Sequence, residues 1–323
     1  MSSAAAPKSS KKSKVTKERV DPNQVVTDRI IEALEAGVVP WRCPWIRDSP
    51  VMPSNATTLH EYRGVNVLML WLGAIIGGHA SPYWLTFNQA KAASGAPRKG
   101  EKGTPCVRWV EWDRVLSDGE AAQAIAEGRK VRRDEKGRAV LRAMGPRAFT
   151  VFNVEQCDGL ALQLPAVDED QRAEWDAIDA AERLLYGMPD GPTIREHGDR
   201  AYYQPSTDAM GLPTRDRFTD PREFYLTAFH EQTHSTGHSS RLNRRDLAEA
   251  IENRNHAAYA REELTAEVGG AMLCARAGIE IPAASSASYI AGWLERLRGD
   301  SRLVITAAQH AQKAVDLIRG EAR

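Results

Sequence analysis

The segment from His230 to His234 carries two histidines four residues apart, with Glu231 directly after the first of them. Upstream, the stretch from Asp220 to Glu223 predicts a helix start, because Asp is a favoured cap, Pro suits the first helical position and Glu follows three residues after the cap. Residues four apart share one helix face, so both imidazoles can reach one ion. Glu231 lies beside that face, where a carboxylate can take a proton from a metal-bound water. The pattern therefore predicts a metal centre capable of hydrolysis.

A catalytic zinc site with an open position needs a third protein ligand, and the sequence offers several. His238 is the nearest, but Gly237 predicts that the helix has ended, and a hydrogen bond near the helix terminus explains His238 equally well. Glu263 and Glu267 lie four apart on a predicted helix over Ala260–Ala277, where like charges repel and a nearby cation would remove the repulsion. Residue types and spacing alone leave either carboxylate as the third ligand.

The elements around this motif are predicted to be mostly helical. Apolar residues at helical spacing predict one helix over Gln171–Tyr186 and another over Leu303–Ile318. Between the first of these and the metal motif, Ala201–Pro205 and Ala209–Pro213 predict two short strands joined by a turn. The second half is thus predicted to be helix-rich with a small β element.

The first half is predicted to be an α+β unit with a strand-rich centre. Apolar periodicity predicts helices over Pro22–Val38, Asn66–Gly77 and Asn88–Ser94. β-Branched and aromatic residues predict strands over Cys106–Trp112 and Ala148–Val154. A charged stretch separates these two strands.

Charge divides the chain into two parts. The 323 residues hold 43 Lys and Arg against 43 Asp and Glu, but the residues up to Leu160 hold 24 basic and 17 acidic side chains and the rest hold 19 and 26. Opposite charge in the two halves indicates different tasks. The first 20 residues hold six basic side chains and little to bury, which predicts a disordered basic tail. The acidic, proline-containing stretch over 162–170 predicts a linker, so the predicted units are a tail over 1–20, a domain over 21–163 and a domain over 164–323.

Aromatic residues concentrate in the basic half, which holds six of the eight tryptophans. Trp41 and Trp45 lie in a polar loop beside Arg42 and Arg47. Such an arrangement suits stacking on unpaired bases while guanidinium groups hold phosphates. These four residues are therefore candidates for contacts with single-stranded DNA.

A second candidate is the glycine-punctuated loop that carries Arg98, Lys99 and Lys102. A flexible basic loop can follow a nucleic-acid backbone, although a solvated surface turn explains the same residues equally well. The sequence contains no helix-turn-helix, zinc-finger or P-loop pattern, so neither sequence-specific reading nor nucleotide hydrolysis is indicated.

Composition sets the broad class. Hydrophobic residues make up 42% of the chain and charged residues 27%, as in ordinary soluble globular proteins. No window approaches the ~18 consecutive apolar residues of a membrane span, and the N-terminus lacks the apolar core of a secretory signal. The four cysteines lie far apart, which argues against a disulfide framework and against a thiolate zinc site. We therefore expect a cytoplasmic protein with no membrane association.

The order of motifs along the chain resembles the ArdC antirestriction family. In the first half the resemblance rests on six segments: Val26–Gly37, Val39–Trp45, Tyr62–Asn66, Ser81–Phe87, Arg98–Gly103 and Val151–Gln156. In the second half it rests on four more: Ala201–Tyr203, His230–His238, Arg241–Leu242 and Glu262–Glu267. The first domain of this family is shared with TraC-type primases of conjugative plasmids. One departure is Ser235, which stands where the family pattern leads us to expect a tryptophan.

The resemblance implies a two-domain α+β fold, with an N-terminal α+β domain that binds single-stranded DNA and a C-terminal zincin-like (SprT/gluzincin-like) metallopeptidase domain. In gluzincins the first acid of the second helix binds zinc and the second supports a ligand histidine, which implies Glu263 as ligand and Glu267 behind it. The reverse assignment stays open. By the same resemblance, the segment Asp208–Leu212 is our candidate for a strand edge that pairs with a substrate backbone.

The implied function is that of a plasmid-encoded protein that protects incoming conjugative DNA from host restriction. We expect one Zn²⁺ per chain, bound by His230, His234 and Glu263, with Glu231 activating the water. The expected partners are single-stranded DNA and, as targets, host restriction-modification subunits. Two other functions stay open, namely a DNA-binding protein with a purely structural zinc site and a SprT-like protease of DNA-bound proteins.

Overall fold

The structure, a computed structural model, describes residues 21–44, 52–165, 174–252, 255–281 and 287–321. The predicted tail over 1–20 lies outside the described residues, as do Trp45, Arg47 and most of the predicted linker. None of the described helices combines the length and apolar composition that spanning a membrane requires.

The first half contains short helices packed around a sheet. Its helices are α1 (Pro22–Glu35), α2 (Val65–Gly77), α3 (Phe87–Ala92) and α4 (Asp118–Ala126). Its strands are β1 (Ser54–Asn55), β2 (Tyr83–Leu85), β3 (Ala96–Pro97), β4 (Thr104–Val115), β5 (Val131–Arg133), β6 (Ala139–Asn153) and β7 (Cys157–Asp158). The predicted α+β character and strand-rich centre are confirmed. Helix α2 is buried almost all round, which agrees with its nearly unbroken apolar sequence.

Strands β4 and β6 form a long antiparallel ribbon that is the central feature of this half. Their register runs from Thr104 opposite Val151 to Val115 opposite Val140. The sheet order is β1-β2-β6-β4, with β5 added along the outer part of β6. Both strands are longer than predicted. Where the ribbon is exposed, charged and polar residues interrupt the apolar alternation, so the sequence shows no strand pattern there.

The second half is helical apart from one small sheet. Its helices are α5 (Glu174–Tyr186), α6 (Pro221–Ser235), α7 (Arg245–Glu252), α8 (His256–Ala277), α9 (Ala287–Gly299) and α10 (Leu303–Ile318). Its strands are β8 (Thr193–Glu196), β9 (Tyr202–Gln204) and β10 (Ala209–Leu212). The start of α6 follows the predicted capping, because the Asp220 side chain accepts a hydrogen bond from the Arg222 amide and Pro221 opens the helix.

Strand β10 lies in the middle of its sheet and not at an edge. It pairs parallel with β8 through all four residues and antiparallel with β9. Both sides of its backbone are therefore hydrogen-bonded, which leaves no free edge for a peptide. The prediction that Asp208–Leu212 pairs with a substrate backbone is therefore wrong. The sequence could not show this, because β8 is polar and lacks the alternation that predicts a strand.

One hydrophobic core runs through both halves of the chain. Helix α1 packs on α9, and α2 lies against α10. Polar contacts reinforce this junction: the Gly64 amide donates to the Gln312 side chain at 3.0 Å, and the Thr27 hydroxyl donates to the Ser301 carbonyl at 2.7 Å. Arg276 also pairs with Glu61 at 2.5 Å. The two halves are thus packed as one body, although their charges differ.

Candidate metal centre

The crossing of α6 and α8 sets the site, and two glycines allow it. A methyl group built on Gly269 would lie 2.5 Å from Cγ2 of Thr233, and one on Gly270 would lie 3.3 Å from the His230 amide nitrogen. Glycine therefore lets the two helix backbones approach more closely than other residues would. This approach brings the acidic residues of α8 next to the histidines of α6.

His230, His234 and Glu263 converge at this crossing. The two Nε2 atoms lie 3.2 Å apart, and each lies 3.6 Å from a carboxylate oxygen of Glu263. One ligand atom from each residue falls within 4.8 Å of the others, and this is the one such metal-binding group within the described ranges. The geometry thus brings together the three residues predicted as ligands.

The donor set fits a divalent ion. Two imidazole nitrogens at the usual zinc distance of about 2.0–2.1 Å, in a tetrahedral arrangement, lie about 3.4 Å apart, close to the separation seen here. A carboxylate completes a set of three protein ligands and leaves a fourth position for water or substrate.

The tautomer of His234 is set by Glu262, a residue that the sequence analysis missed. Nδ1 of His234 lies 3.1 Å from Oε1 of Glu262. An ionised carboxylate only accepts hydrogen bonds, so Nδ1 carries the proton and Nε2 presents its lone pair to the cluster. Glu262 is thus the carboxylate behind His234, while Glu267 interacts electrostatically with His230 and stays the predicted support for that histidine.

A buried arginine holds Glu262 in place. Arg244 donates from Nε and Nη2 to the two oxygens of Glu262 at 2.9 and 2.6 Å, and both side chains are almost fully buried. Burial alone would raise the pKa of Glu262, but hydrogen bonds from Arg244 and His234 lower it to about 2. Glu262 is therefore a carboxylate at neutral pH.

Arg244 also fixes the end of α6. Its Nη2 donates to the carbonyl oxygens of Thr233 and His234 at 2.8 and 3.3 Å, and its Nη1 donates to the Thr236 hydroxyl. The same carbonyls accept hydrogen bonds from the Thr236 and Gly237 amides at 3.2 and 2.9 Å, which tighten the last turn where the helix ends. One guanidinium group thus satisfies the helix end and the carboxylate that orients His234.

A second arginine anchors the same helix end to the small sheet. Arg241 donates to the Ser235 carbonyl at 2.9 Å and binds both carboxylate oxygens of Asp208. The Tyr203 hydroxyl donates to Asp208 at 2.8 Å and accepts from Arg241 at 3.2 Å. Arg241 and Tyr203 belong to the motifs that carried the resemblance, and their contacts are structural.

Glu231 lies on the wall of a pocket of about 220 Å³ beside the histidines. The other lining residues are Leu226, Thr227, His230, Ala266, Glu267 and Gly270. Burial would lower the pKa of His230, but the hydrogen bond with Glu263 and the charges of Glu267 and Glu231 raise it. The site therefore attracts positive charge at the place where the two imidazoles meet.

Glu267 faces the same pocket and binds Tyr289. Burial raises the pKa of the Glu267 carboxyl, although His230 and the Tyr289 hydroxyl act in the opposite direction. Glu267 is not part of the metal-binding group formed by the described residues, so the geometry favours Glu263 as the third ligand over the reverse assignment.

His238 lies outside the cluster. Its Nδ1 contacts the Ser240 hydroxyl at 2.7 Å and accepts a hydrogen bond from the Ser240 amide at 3.2 Å. The chain has left the helix at this point, as Gly237 predicted. His238 therefore stabilises the turn and does not approach the ligands.

The residues predicted to contact DNA differ in their exposure to solvent. Trp41 is only 3% exposed; its ring packs edge-on against Trp293, and its Nε1 donates to the Tyr289 hydroxyl at 3.1 Å. The structure thus contradicts an exposed stacking role for Trp41. Arg42 is half-buried, and burial lowers the pKa of its guanidinium group.

The predicted basic loop is exposed. Arg98 pairs with Glu101 at 2.8 Å and with Asp158 at 3.6 Å, so its charge is partly compensated. Lys99 and Lys102 point to solvent. The loop thus offers two exposed ammonium groups near an arginine whose charge is partly compensated.

Comparisons with known families and solved structures agree with this architecture. Residues 20–152 match the N-terminal domain of the anti-restriction factor ArdC, and residues 179–310 match zincin-like metallopeptidases. The chain is similar to the crystal structures of the antirestriction protein ArdC from plasmid R388, at 38% identity and a TM-score of 0.71 for the metal-free form and 36% and 0.68 for the Mn(II)-bound form. Each match covers 94% of this chain and 98% of that protein.

Three sequence relatives show how these two halves occur together. The uncharacterised protein y4eC of Sinorhizobium fredii is 37% identical over 300 residues, which cover 92% of this chain and 91% of that protein. Two Escherichia coli DNA primases named TraC are each 36% identical, over 303 and 315 residues and 92% of this chain. The chain spans only 27% and 20% of the length of these primases.

Proposed function

The chain belongs to the ArdC family of antirestriction proteins, and from that premise we propose that it binds single-stranded DNA and protects incoming conjugative DNA from host restriction. The observation that carries the enzymatic part of the proposal is the cluster of His230, His234 and Glu263 beside the Glu231 pocket. We propose that this cluster binds one Zn²⁺ per chain and acts as a metallopeptidase centre. The Mn(II)-bound structure of the antirestriction protein ArdC from plasmid R388 supports a divalent ion in a protein of this fold.

The residues around the pocket supply the proton chemistry. A divalent ion bound by the three ligands lowers the pKa of a water and polarises a substrate carbonyl group. With such an ion bound, the Glu231 carboxylate would serve as the general base for the attacking water and as the general acid that returns the proton to the leaving amine. Glu262 keeps Nδ1 of His234 protonated throughout, so the imidazole keeps one orientation.

The N-terminal half supports DNA binding through charge. Its net basic composition contrasts with the acidic second half, and Lys99 and Lys102 are exposed on a turn. Cations on an exposed surface bind phosphates of any sequence, and their contribution decreases as salt increases. The basic half coincides with residues 20–152, which match the N-terminal domain of the anti-restriction factor ArdC.

The experiment that tests the proposal is conjugative transfer into a restricting recipient by plasmids that encode wild type, Glu231→Gln or Glu223→Gln. Glu223 is an exposed glutamate on the same helix, about two turns before Glu231 and not among the pocket-lining residues, so Glu223→Gln is a matched control. We expect Glu231→Gln to bind the metal normally but to lower transfer to the level of a deletion, because removing a general base decreases hydrolysis by about 10²–10⁴-fold.

Purified restriction subunits, incubated with each zinc-loaded protein, provide the biochemical readout. Cleavage by wild type and by Glu223→Gln, but not by Glu231→Gln, supports the peptidase assignment. If transfer is the same for all three proteins, protection depends on DNA binding alone and the metal is structural. Cleavage of DNA-bound proteins in general would instead favour a SprT-like protease.

A further inference from the structure

The exposed part of the β4–β6 ribbon carries cations and aromatic rings on one face. Directly opposed residues of an antiparallel pair point to the same side, and every second residue along each strand shares that side. The register therefore places Arg108, Trp112, Arg147 and Phe149 together. We call these four residues the ribbon face.

The two arginines of the ribbon face are direct cross-strand neighbours. Arg108 lies opposite Arg147, and like charges at opposed positions destabilise a sheet. No carboxylate of the described residues lies within ion-pair distance of either guanidinium group. Instead, the acidic residue Glu111 points to the other side of the ribbon, where it pairs with Arg142. Uncompensated positive charge is thus confined to one side.

Each arginine lies over an aromatic ring. The guanidinium carbon of Arg147 is 4.7 Å from the ring centroid of Trp112, and that of Arg108 is 5.9 Å from that of Phe149. Gly145 permits the first contact: a methyl group built there would lie 3.0 Å from the Trp112 ring, so the indole covers the position that a side chain would fill. The Trp112 ring thus lies between Arg147 and the Gly145 position, with part of its surface in solvent.

We propose that the ribbon face binds single-stranded nucleic acid, with the two guanidinium groups on adjacent phosphates and Trp112 stacked on a base. A phosphate bound to each guanidinium group offsets the repulsion between Arg108 and Arg147, and an unpaired base can stack on the exposed part of the indole ring. Bases of a duplex are already stacked on each other, so the aromatic contact favours a single strand. This inference rests on the proposed DNA-binding function and assigns its contact surface to the ribbon, away from the sequence-predicted loop.

Fluorescence anisotropy with a labelled 20-nucleotide oligo(dT) tests the assignment on the full-length protein. We expect the double variant Arg108→Ala/Arg147→Ala to raise Kd at least tenfold. Its plot of log K against log salt should also be less steep by about 1.4, because each lost phosphate contact on a single strand removes about 0.7. Trp112→Ala should raise Kd by about tenfold with an unchanged salt slope, because stacking involves no counterion release.

Arg142→Ala is the matched control, because it removes an arginine from the opposite side of the same ribbon. It should change Kd less than twofold, and circular dichroism should show that all variants are folded. If the double variant binds as tightly as wild type, or loses no more affinity than Arg142→Ala, the ribbon face is not the contact surface and DNA binding lies elsewhere. If wild type itself does not bind the oligonucleotide, the proposed DNA-binding function fails, and the inference fails with it.

Discussion

At the residue scale, the orientation of His234 depends on Glu262, a carboxylate outside the metal-binding group. Glu262 and Glu263 are neighbours on α8, and successive helical residues point about 100° apart. Glu263 therefore faces the Nε2 atoms of the two histidines, while Glu262 faces Nδ1 of His234 and the buried Arg244. The sequence shows two adjacent acids, but only the position of Arg244, eighteen residues away, reveals which of them lies behind His234.

We predict that Glu262→Gln lowers both stability and metal affinity. At neutral pH the substitution leaves the buried Arg244 without its counter-charge, which should cost about 3 kcal/mol in unfolding free energy. It also removes the negative charge that holds the Nδ1 proton of His234, and loss of such partners lowers metal affinity about 10–100-fold. Chemical denaturation and zinc titration by calorimetry measure the two effects.

The pH dependence of stability checks the same assignment. The folded-state pKa of Glu262, about 2, lies below its ordinary value of 4.5, so its contribution is fully present above pH 4.5 and is lost as the pH falls toward 2. The metal-free wild type should therefore lose stability over this range more steeply than metal-free Glu262→Gln. Parallel curves would show that Glu262 is not the ionised partner of Arg244.

At the element scale, helix positions could be predicted from the sequence better than strand positions. The cap and proline of α6 are local signals, and α10 has the predicted limits, Leu303–Ile318. Strand β8 and the outer part of β6 are exposed and polar, so they lack the alternation of apolar and polar residues that predicts a strand. The metal-binding spacing within α6 is also local. The close approach of α8 to α6 is not a local signal, because it depends on Gly269 and Gly270 lying against Thr233 and His230 of the other helix.

We predict that Gly269→Ala weakens the site by separating α6 from α8. The added methyl group would lie 2.5 Å from Thr233, so the helices must move apart, at a cost of about 1–3 kcal/mol. Zinc affinity should fall as Glu263 moves away from the histidines. Thermal melts and zinc titration of the variant measure the two changes.

Gly292→Ala serves as the control for helix propensity. Gly292 lies within α9, and a methyl group there would meet no described atom within 4 Å. Alanine is the better helix former by about 0.5–1 kcal/mol, so this variant should be as stable as wild type or slightly more so. If both variants behave alike, close packing at Gly269 is not what holds the crossing.

At the scale of the whole molecule, charge divides the chain into two halves, but the hydrophobic core does not. The basic and acidic halves suggest two separable domains, and two family matches cover them separately. The core nevertheless includes residues of both. Trp41 illustrates why the sequence could not show this, since its contacts, Tyr289 and Trp293, lie about 250 positions further along the chain.

We predict that the protein unfolds in a single calorimetric transition, which Trp41→Ala shifts to lower temperature. Removing a buried tryptophan should cost about 3–5 kcal/mol, and the loss falls on both halves because the ring packs between them. Trp109→Ala is the control, since Trp109 is 54% exposed and surface substitutions change stability by about 0.5 kcal/mol or less. Two transitions, only one of them shifted by Trp41→Ala, would contradict a shared core.

The shared core also bears on how such chains recombine. A gene fusion that exchanged one half for an unrelated domain would expose the apolar faces of α1 and α2 and remove the partners of Trp41 and Glu61. The halves should therefore be inherited as a pair. The TraC primases fit this expectation, because their similarity covers 92% of this chain within a protein several times longer. In those primases the similarity thus extends over both halves together.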